Sequence, residues 1–176
     1  MSAVTKTVGQ PQVPEFIISR TFDAPRDLIW RCFTDPAHMQ HWWGPKGFKV
    51  LSSKMDFRVG GTYHYGLEAP NGAVMWGRFV YREIVPQERI VFTNSFSDEA
   101  GGVTRHPMHK SWPLLLTTTF TFEDAPGGKT VFTVHWRPLD ATPEEMKTFD
   151  DNRTSMKMGW TGTMDQLDAY LPKAKT

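Results

Sequence analysis

The sequence predicts an α+β domain in which a curved antiparallel β-sheet wraps around a long C-terminal helix, with two short helices after the first strand. Three observations support this fold class. Strand-like runs separated by Gly, Pro and Asn follow one another from residue 48 to residue 137, which is typical of an antiparallel sheet. Two helix starts lie between the first strand and this region. Apolar residues then recur every three or four positions up to Leu171, and this helix is the only predicted element large enough to cover the sheet.

The first strand and the two short helices occupy the start of the chain. Residues 15–22 are rich in β-forming side chains that alternate in part between two faces. Asp23 is predicted to cap the first helix, and Pro25 to lie in its first turn, where its missing N–H is not needed. Asp35 begins the second helix, which is predicted to run to His41 or Trp42 and to be terminated by Gly44 and Pro45.

The central region predicts strands joined by tight turns. Turn sequences occur at residues 70–72 (Pro-Asn-Gly), 86–88 (Pro-Gln-Glu) and 126–128 (Pro-Gly-Gly). The polar segment of residues 97–110 is predicted to be a mobile flap, because it contains two adjacent glycines and few apolar groups. The predicted strands cover residues 48–53, 62–68, 74–85, 89–96, 112–123 and 130–137.

The last predicted element is one continuous helix from Thr142 to about Leu171. Thr142 is a favourable N-cap, Pro143 suits the first turn, and the two glutamates that follow complement the positive end of the helix dipole. Pro138 is expected to end the sheet, and Pro172 to stop the helix. The long helix therefore presents one continuous apolar face to the sheet.

Length and charge limit the domain organisation and the partners. A chain of 176 residues corresponds to about one domain. We expect a flexible tail at residues 1–14, a single domain at residues 15–171 and a short tail at residues 172–176. Twenty Lys and Arg against nineteen Asp and Glu leave a net charge of +1, which excludes electrostatic binding of nucleic acid as the main activity.

Cysteine use and hydropathy limit the compartment. Cys32 is the single cysteine, so an internal disulfide and a cysteine-only zinc site are excluded. No apolar run approaches the roughly 20 residues that span a bilayer, and residues 1–14 are polar and contain no apolar signal-peptide core. We therefore expect a cytoplasmic protein that does not insert into membranes.

The sequence contains no complete motif for a cofactor, a metal or a catalytic nucleophile. A G-x-S-x-G elbow, an H-E-x-x-H motif and a phosphate-binding glycine loop are all missing, so we predict no catalytic residue, no metal and no required cofactor. Two histidine pairs have a spacing of three residues, His38 with His41 and His106 with His109. Without further ligands beside them, we interpret both pairs as solvated surface histidines.

The aromatic content points to the space between the sheet and the long helix. Aromatic residues make up 13% of the chain, with seven Trp and twelve Phe, and there are nine Met in addition. Such bulky and adaptable side chains suit either an apolar ligand cavity or a solid tryptophan-rich core. The candidate cavity residues are Trp42, Trp76, Phe79, Tyr81, Phe92, Phe96, Trp112, Phe120, Trp136, Phe149, Arg153 and Met156.

A few polar and aromatic residues have two possible roles. Arg153 interrupts the apolar face of the long helix, so it either extends outward to water or lies at the cavity rim and binds an anionic ligand group. Glu83 is either a cavity acid or the ion-pair partner of a nearby arginine. Alternation places Trp136 inward and His135 outward. Trp160 is predicted to anchor the core without contacting a ligand.

An ordered set of short sequences resembles the START/Bet-v-type helix-grip superfamily, and within it the domain related to activators of the heat-shock-protein-90 ATPase. The resemblance covers about residues 15–171. It implies a helix-grip fold with a cavity beneath the last helix, and it implies no universal catalytic residue. The matching residues are Ile18 to Pro25, Ile29 and Trp30, Phe33 to Pro36, Trp42 to Pro45, Asp56 to Gly61, Gly77 to Ile84, Pro86, Glu88 to Ile90, Gly159 and Trp160, Leu167 and Leu171.

These features favour a domain that binds an apolar or amphipathic small molecule, with a stress-related role implied by the resemblance. A cavity enzyme of the cyclase, dehydratase or hydrolase type is an alternative, and it needs titratable groups that converge in the pocket. A chaperone-linked interaction module is a second alternative, and it predicts an exposed apolar patch on the outer face of the sheet. The co-chaperones of this family carry a separate N-terminal domain, whereas about fourteen residues precede the first predicted strand here.

Overall fold

A computed structural model describes residues 12–175 and confirms the α+β architecture. The predicted flexible tail lies outside the described residues up to residue 11. The strands are β1 (Phe16–Phe22), β2 (Lys49–Met55), β3 (Thr62–Glu68), β4 (Val74–Val85), β5 (Arg89–Ser97), β6 (Val103–Thr104), β7 (Leu115–Ala125) and β8 (Lys129–Leu139). The helices are α1 (Arg26–Thr34), α2 (Pro36–Met39), α3 (Pro143–Asp151) and α4 (Arg153–Ala174).

Within residues 12–175, the strands form one antiparallel sheet in the order β1-β8-β7-β5-β4-β3-β2, and β6 pairs with the end of β5. The first strand, β1, therefore forms one edge of the sheet and pairs with the last strand, β8. Period-2 alternation sends one set of side chains towards α4 on every strand, for example Phe120 on β7 and Val134 on β8, which are neighbours in register. The helix α4 lies over this inner face, where Trp160 contacts Phe120 and Trp136.

The inner face is densely packed where α1 covers it. Phe33 of α1 stacks on Phe132 with ring centroids 4.4 Å apart, and its edge contacts Phe120 and Phe122 at 5.2 and 5.5 Å. All four side chains are at most 3% exposed. Burial of this aromatic cluster fixes α1 on the sheet.

Helix α1 starts differently from the prediction. Pro25 occupies the N-cap position, and no side chain accepts a hydrogen bond from the first turn, so Asp23 is not the cap. The second helix starts as predicted, since the Asp35 carboxylate accepts a hydrogen bond from the Ala37 N–H. It ends at Met39, earlier than expected.

The predicted single C-terminal helix is two helices. Thr142 forms the predicted cap, in a capping box with Glu145. Asn152 has φ −106° and ψ 22°, and its side-chain amide donates to the Thr148 carbonyl, which separates α3 from α4. Pro172 does not stop α4, which continues to Ala174 because only one backbone hydrogen bond is lost so close to its end.

Pro138 likewise does not end the sheet. It pairs with Leu116, and β8 continues to Leu139. The segment of residues 97–110, predicted to be a mobile flap, makes specific contacts with the rest of the domain. It contains β6, and the Arg105 guanidinium donates to the buried Glu145 carboxylate of α3 at 2.7 Å. This ion pair holds the loop beside the N-terminal end of α3.

Candidate ligand cavity

A cavity of about 390 Å³ lies between the sheet and the N-terminal half of α4. It is partly open to solvent. The exposed lining residues His109 and Ser155 mark its mouth, between the 97–110 loop and α4. The lining residues used below are Trp43, Tyr65, Trp76, Asn94, Phe96, His106, His109, Trp112, Trp136, Asn152, Ser155, Met156, Gly159, Trp160 and Thr163.

The helical wall of the cavity is one face of α4. Met156, Gly159, Trp160 and Thr163 follow the i, i+3, i+4, i+7 spacing of a single helix face. A Cβ atom added at Gly159 would meet no atom within 4 Å. The missing side chain at Gly159 therefore contributes open space, and does not bring the helix closer to the sheet.

Two glycines on the sheet let aromatic rings cross from one strand to the next. Tyr65 of β3 lies over Gly77 of β4, where any Cβ would collide with the phenol ring. One register position away, the Trp76 ring lies over Gly66, where a Cβ would come within 2.8 Å of the indole. Because successive strand residues point to opposite faces, Gly66 and the Trp76 ring lie on the face opposite Tyr65 and Gly77, and it is the Tyr65–Gly77 approach that contributes to the floor of the cavity.

Trp43 and Tyr65, at the β3–β4 end of the cavity, each have a polar group in the protein interior. The Trp43 indole Nε1 is buried without a well-formed hydrogen bond, and its ring meets Tyr65 edge-on at 5.7 Å. Burial raises the pKa of the Tyr65 phenol, an effect that the neighbouring Trp43 indole partly offsets. The Tyr65 phenol is therefore neutral at physiological pH.

The mouth is built from two histidines. His106 Nδ1 accepts hydrogen bonds from the backbone N–H groups of Met108 and His109, at 3.0 and 3.2 Å. Its ring packs on Phe96 at 4.6 Å and on His109 at 4.9 Å. Burial lowers the pKa of His106, and the neighbouring His109 lowers it further. Both effects favour the neutral imidazole at the mouth.

The middle of the sheet contributes one amide to the lining. Asn94 of β5 accepts a hydrogen bond at its Oδ1 from the Thr118 hydroxyl of β7, at 2.6 Å. Thr118 is fully buried on the inner face. Among the lining residues of the described chain there is no Asp, Glu, Lys or Arg. The cavity is therefore apolar and aromatic, with a few neutral polar groups.

Five of the predicted cavity residues line it, and the other seven lie elsewhere. Those in the lining are Trp76, Phe96, Trp112, Trp136 and Met156. Six aromatic residues away from the lining are core side chains at most 4% exposed: Trp42, Phe79, Tyr81, Phe92, Phe120 and Phe149.

These six buried side chains are fixed by ring contacts with other aromatic residues and, for Trp42, by a hydrogen bond to the backbone. Phe79 and Phe92 stack at 3.9 Å, and Phe149 supports Trp112 from behind at 5.6 Å. Trp42 donates its indole N–H to the Cys32 carbonyl at 3.1 Å. Its neighbour Trp43 lines the cavity instead, because consecutive side chains in the turn after α2 point in different directions.

Arg153 lies outside the cavity. Its guanidinium donates to Asp150 and to the Glu15 carbonyl, at 2.7 and 2.6 Å, so the side chain extends outward to the surface. Glu83 is likewise exposed and forms an ion pair with Arg89. The outward alternatives for both residues therefore match the structure, and neither residue belongs to the cavity lining.

The predictions for four further residues had different outcomes. Trp136 lies inward and His135 faces Glu15, as alternation predicted. Trp160 is a core anchor at 7% exposure, but it also lines the cavity, contrary to the prediction that it would not. His106 was interpreted as a solvated histidine, and the structure places it in the lining.

The sequence offered weak signals for the missed lining residues. His106 and His109 flank a proline in a segment that ends in Trp112 and Pro113, and apolar residues are unusual in a solvated flap. No cluster of three or more His, Cys, Asp or Glu side chains within residues 12–175 is arranged to bind a metal ion. In the same part of the chain, no helix has the length and hydrophobicity needed to cross a membrane.

Several solved structures share this fold. Protein Ms6760 from Mycobacterium smegmatis is 23% identical with a TM-score of 0.72, over 91% of this chain and 95% of that protein. Protein CV1439 from Chromobacterium violaceum is 28% identical with a TM-score of 0.64, over 88% and 94%. The AHSA1 protein from Silicibacter pomeroyi is 19% identical with a TM-score of 0.68, over 90% and 98%.

No curated protein matches the chain significantly. The family model described as Activator of Hsp90 ATPase homolog 1-like protein matches residues 23–172, from the turn before α1 to the last turn of α4. The match therefore includes strands β2 to β8, helix α3, nearly all of α4 and every lining residue of the cavity, whereas β1 lies before it. With this match and the shared helix-grip fold, the chain belongs to the Activator of Hsp90 ATPase homolog 1-like family.

Proposed function

We propose that this protein binds an apolar small molecule in the cavity between the sheet and α4. The observation that carries the proposal is the aromatic cavity of about 390 Å³, which lies within the size range of small-molecule sites. Its walls come from the family's helix-grip framework, whose architecture suits ligand binding. Burial of apolar ligand surface would supply affinity at about 25 cal/mol per Å².

The absence of fixed charge in the lining narrows the ligand class. An ionised group transferred from water into this cavity would lose its hydration without gaining a counter-ion among the lining residues. The amphipathic, anionic ligand that Arg153 suggested therefore loses its main support. We propose a largely uncharged ligand and no required cofactor. The cytoplasmic location and the stress-related role remain predictions.

The alternative functions receive less support from the described residues. A cavity enzyme was expected to use Glu83, Tyr81 or Arg153, and these side chains do not converge: two lie at the surface, and Tyr81 is 2% exposed within the core. An interaction module was expected to show an apolar patch on the outer face of the sheet. The exposed large apolar residues instead come from separate strands, loops and α4, as with Ile17, Met108 and Met158.

The test uses the vacant position on the helical wall. Gly159→Phe would place a ring in the cavity without displacing any atom near the Cβ. Uptake of N-phenyl-1-naphthylamine, a neutral probe, would be followed by its fluorescence and by energy transfer from the lining tryptophans. We expect the wild type to take up the probe, and Gly159→Phe to lose uptake at least tenfold while remaining folded.

The matched control is Gly159→Ala. Alanine is the better helix former by about 1 kcal/mol, so this variant should be slightly more stable and should still bind the probe. Equal loss of uptake in both variants would indicate an effect on the helix, and not on the cavity. A wild type that takes up no probe would refute the proposed function.

A further inference from the structure

Asn94 presents an unused N–H group to the cavity. The Thr118 hydroxyl donates to Asn94 Oδ1, which places the carbonyl side of the amide towards β7. The Nδ2 group of Asn94 consequently has no hydrogen-bond partner within residues 12–175, although the residue lies in the lining. A donor on an otherwise apolar wall is costly when a ligand covers it without accepting its hydrogen bond.

His106 provides a second N–H group on the same wall. Its Nδ1 is occupied as an acceptor by two backbone N–H groups, so the proton of the neutral ring is on Nε2. In the described part of the chain, Nε2 has no partner. The ring contacts Phe96, which lies two residues beyond Asn94 on the same face of β5. The deeper donor, Asn94, therefore lies on β5, and His106 of the loop lies beside the end of the same strand, at the mouth.

The other walls suit a planar, uncharged molecule. Trp43, Trp112, Trp136 and Trp160 surround the space, and the lining residues include no charged side chain. Aromatic ligands gain from offset or edge-on contacts with such rings. On the helical wall, Thr163 already donates to the Gly159 carbonyl at 2.9 Å, and the Ser155 hydroxyl lies at the exposed mouth. Asn94 and His106 therefore supply two free donors on the β5 side, and the buried Trp43 indole N–H, which lacks a well-formed hydrogen bond among the described residues, is a further donor in the lining.

We propose that the cavity selects uncharged aromatic molecules that carry a carbonyl-type hydrogen-bond acceptor, such as aromatic ketones or quinones. The ring occupies the space among the tryptophans, and the oxygen accepts from Asn94 Nδ2 or His106 Nε2. This inference rests on the proposed function, uptake of apolar molecules by the same cavity. It adds the chemical group that orients the ligand.

Three probes of matched shape test the acceptor. The ketone is 2-acetylnaphthalene; 2-isopropenylnaphthalene replaces its oxygen by a methylene; 2-naphthoate carries a negative charge instead. Dissociation constants would be measured by quenching of tryptophan fluorescence and by calorimetry. We expect the ketone to bind the wild type about five- to tenfold more tightly than the isopropenyl compound, as one additional hydrogen bond predicts. The naphthoate should bind most weakly of the three.

Two variants locate the donors, and one serves as a control. Asn94→Ala removes the deeper donor. His106→Asn removes Nε2 but keeps a side-chain oxygen that can accept from the loop backbone, as Nδ1 does. Thr163→Val removes a hydroxyl that is already engaged with Gly159. The readout is the ratio of ketone to isopropenyl affinity, which is insensitive to a general loss of affinity or stability. The ratio should fall towards one in at least one of the first two variants, and stay at the wild-type value in Thr163→Val.

The outcomes separate this proposal from the proposed function. Equal binding of the ketone and the isopropenyl compound to the wild type overturns the acceptor proposal and leaves apolar binding intact. Tightest binding of the naphthoate, or an unchanged ratio in both donor variants, also overturns it. A cavity that takes up N-phenyl-1-naphthylamine but not the ketone overturns only the acceptor proposal. Failure of all probes, N-phenyl-1-naphthylamine included, overturns both.

Discussion

The space between sheet and α4 has two halves that are lined by the same kinds of residue, yet only one is filled. Under α1, Phe33 inserts between Phe120, Phe122 and Phe132 at centroid distances of 4.4–5.5 Å. Under the N-terminal half of α4, tryptophans and Phe96 surround a cavity of about 390 Å³. Aromatic composition therefore does not decide between a core and a cavity. What decides is whether a third element, here α1, supplies side chains to the space.

Trp160 stands between the two halves. Its ring contacts Phe120 on the filled side at 5.8 Å, and Trp136 on the open side at 5.7 Å. The cavity stays open beside Trp160 because Gly159 has no side chain that could project into it. The comparison implies that substitutions in the filled half act on stability, whereas those in the open half act on binding.

The largest effect is expected for Phe33→Ala, in the filled half. Removing a 3% exposed ring from a close-packed cluster should lower the free energy of unfolding by about 3–5 kcal/mol. Urea denaturation would measure the loss. A decrease in the free energy of unfolding of less than about 1 kcal/mol would mean that Phe33 is packed as loosely as the residues around the cavity.

Trp160→Ala should cost somewhat less, about 3 kcal/mol, despite the larger side chain. The indole has packing partners on the filled side but faces the cavity on the other, where there are fewer contacts to lose. Probe affinity should also fall, since one wall is lost. Denaturation and N-phenyl-1-naphthylamine titration of the same samples would check both. A loss of stability without any change in probe affinity would mean that Trp160 has a purely structural role.

Acidification should loosen the mouth of the open half before it affects the filled half. Because the pKa of His106 is lowered in the folded protein, the unfolded chain takes up the proton first as pH falls below about 6.5. The stability that the neutral ring contributes is therefore present above that pH and declines below it. Protonation also ends the acceptor role of Nδ1 for the loop N–H groups. Amide protection factors of residues 97–110 at pH 7.5 and 5.5 would report the change.

The same measurement on His106→Asn is the control for this prediction. An asparagine oxygen accepts hydrogen bonds at any pH in this range, so the protection of the loop should become nearly independent of pH. Loss of protection in β7 and β8 at the same pH would instead point to general acid destabilisation.

The smallest effect is expected for Arg153→Ala. The side chain is exposed, and its ion pair with Asp150 is of the surface type, worth about 1 kcal/mol or less. Probe affinity should remain within twofold of the wild type, because the guanidinium points away from the cavity. A substantial loss of binding of 2-naphthoate in this variant would restore Arg153 as a rim residue.

The hydrophobic periodicity and the turn-forming residues of the sequence were sufficient to predict most of the fold. The bounds of β3 and β4 match the predicted ranges, since both are limited by Gly, Pro and Asn at each end. The cap at Thr142 was predicted from the same local rules. The break at Asn152 was not, because the apolar spacing continues through it and the break depends on φ and ψ at one residue.

The sequence by itself determined the helix-grip architecture and which face of each element is buried, because alternation along strands and periodicity along helices are local properties. Only the tertiary structure decided which buried aromatics fill the interior and which surround a cavity. Phe33 and Trp112 are both bulky aromatic residues, but one is inserted into a packed cluster and the other borders open space. That difference depends on contacts between residues far apart in the chain, such as Arg105 with Glu145, and on the absence of a side chain at Gly159.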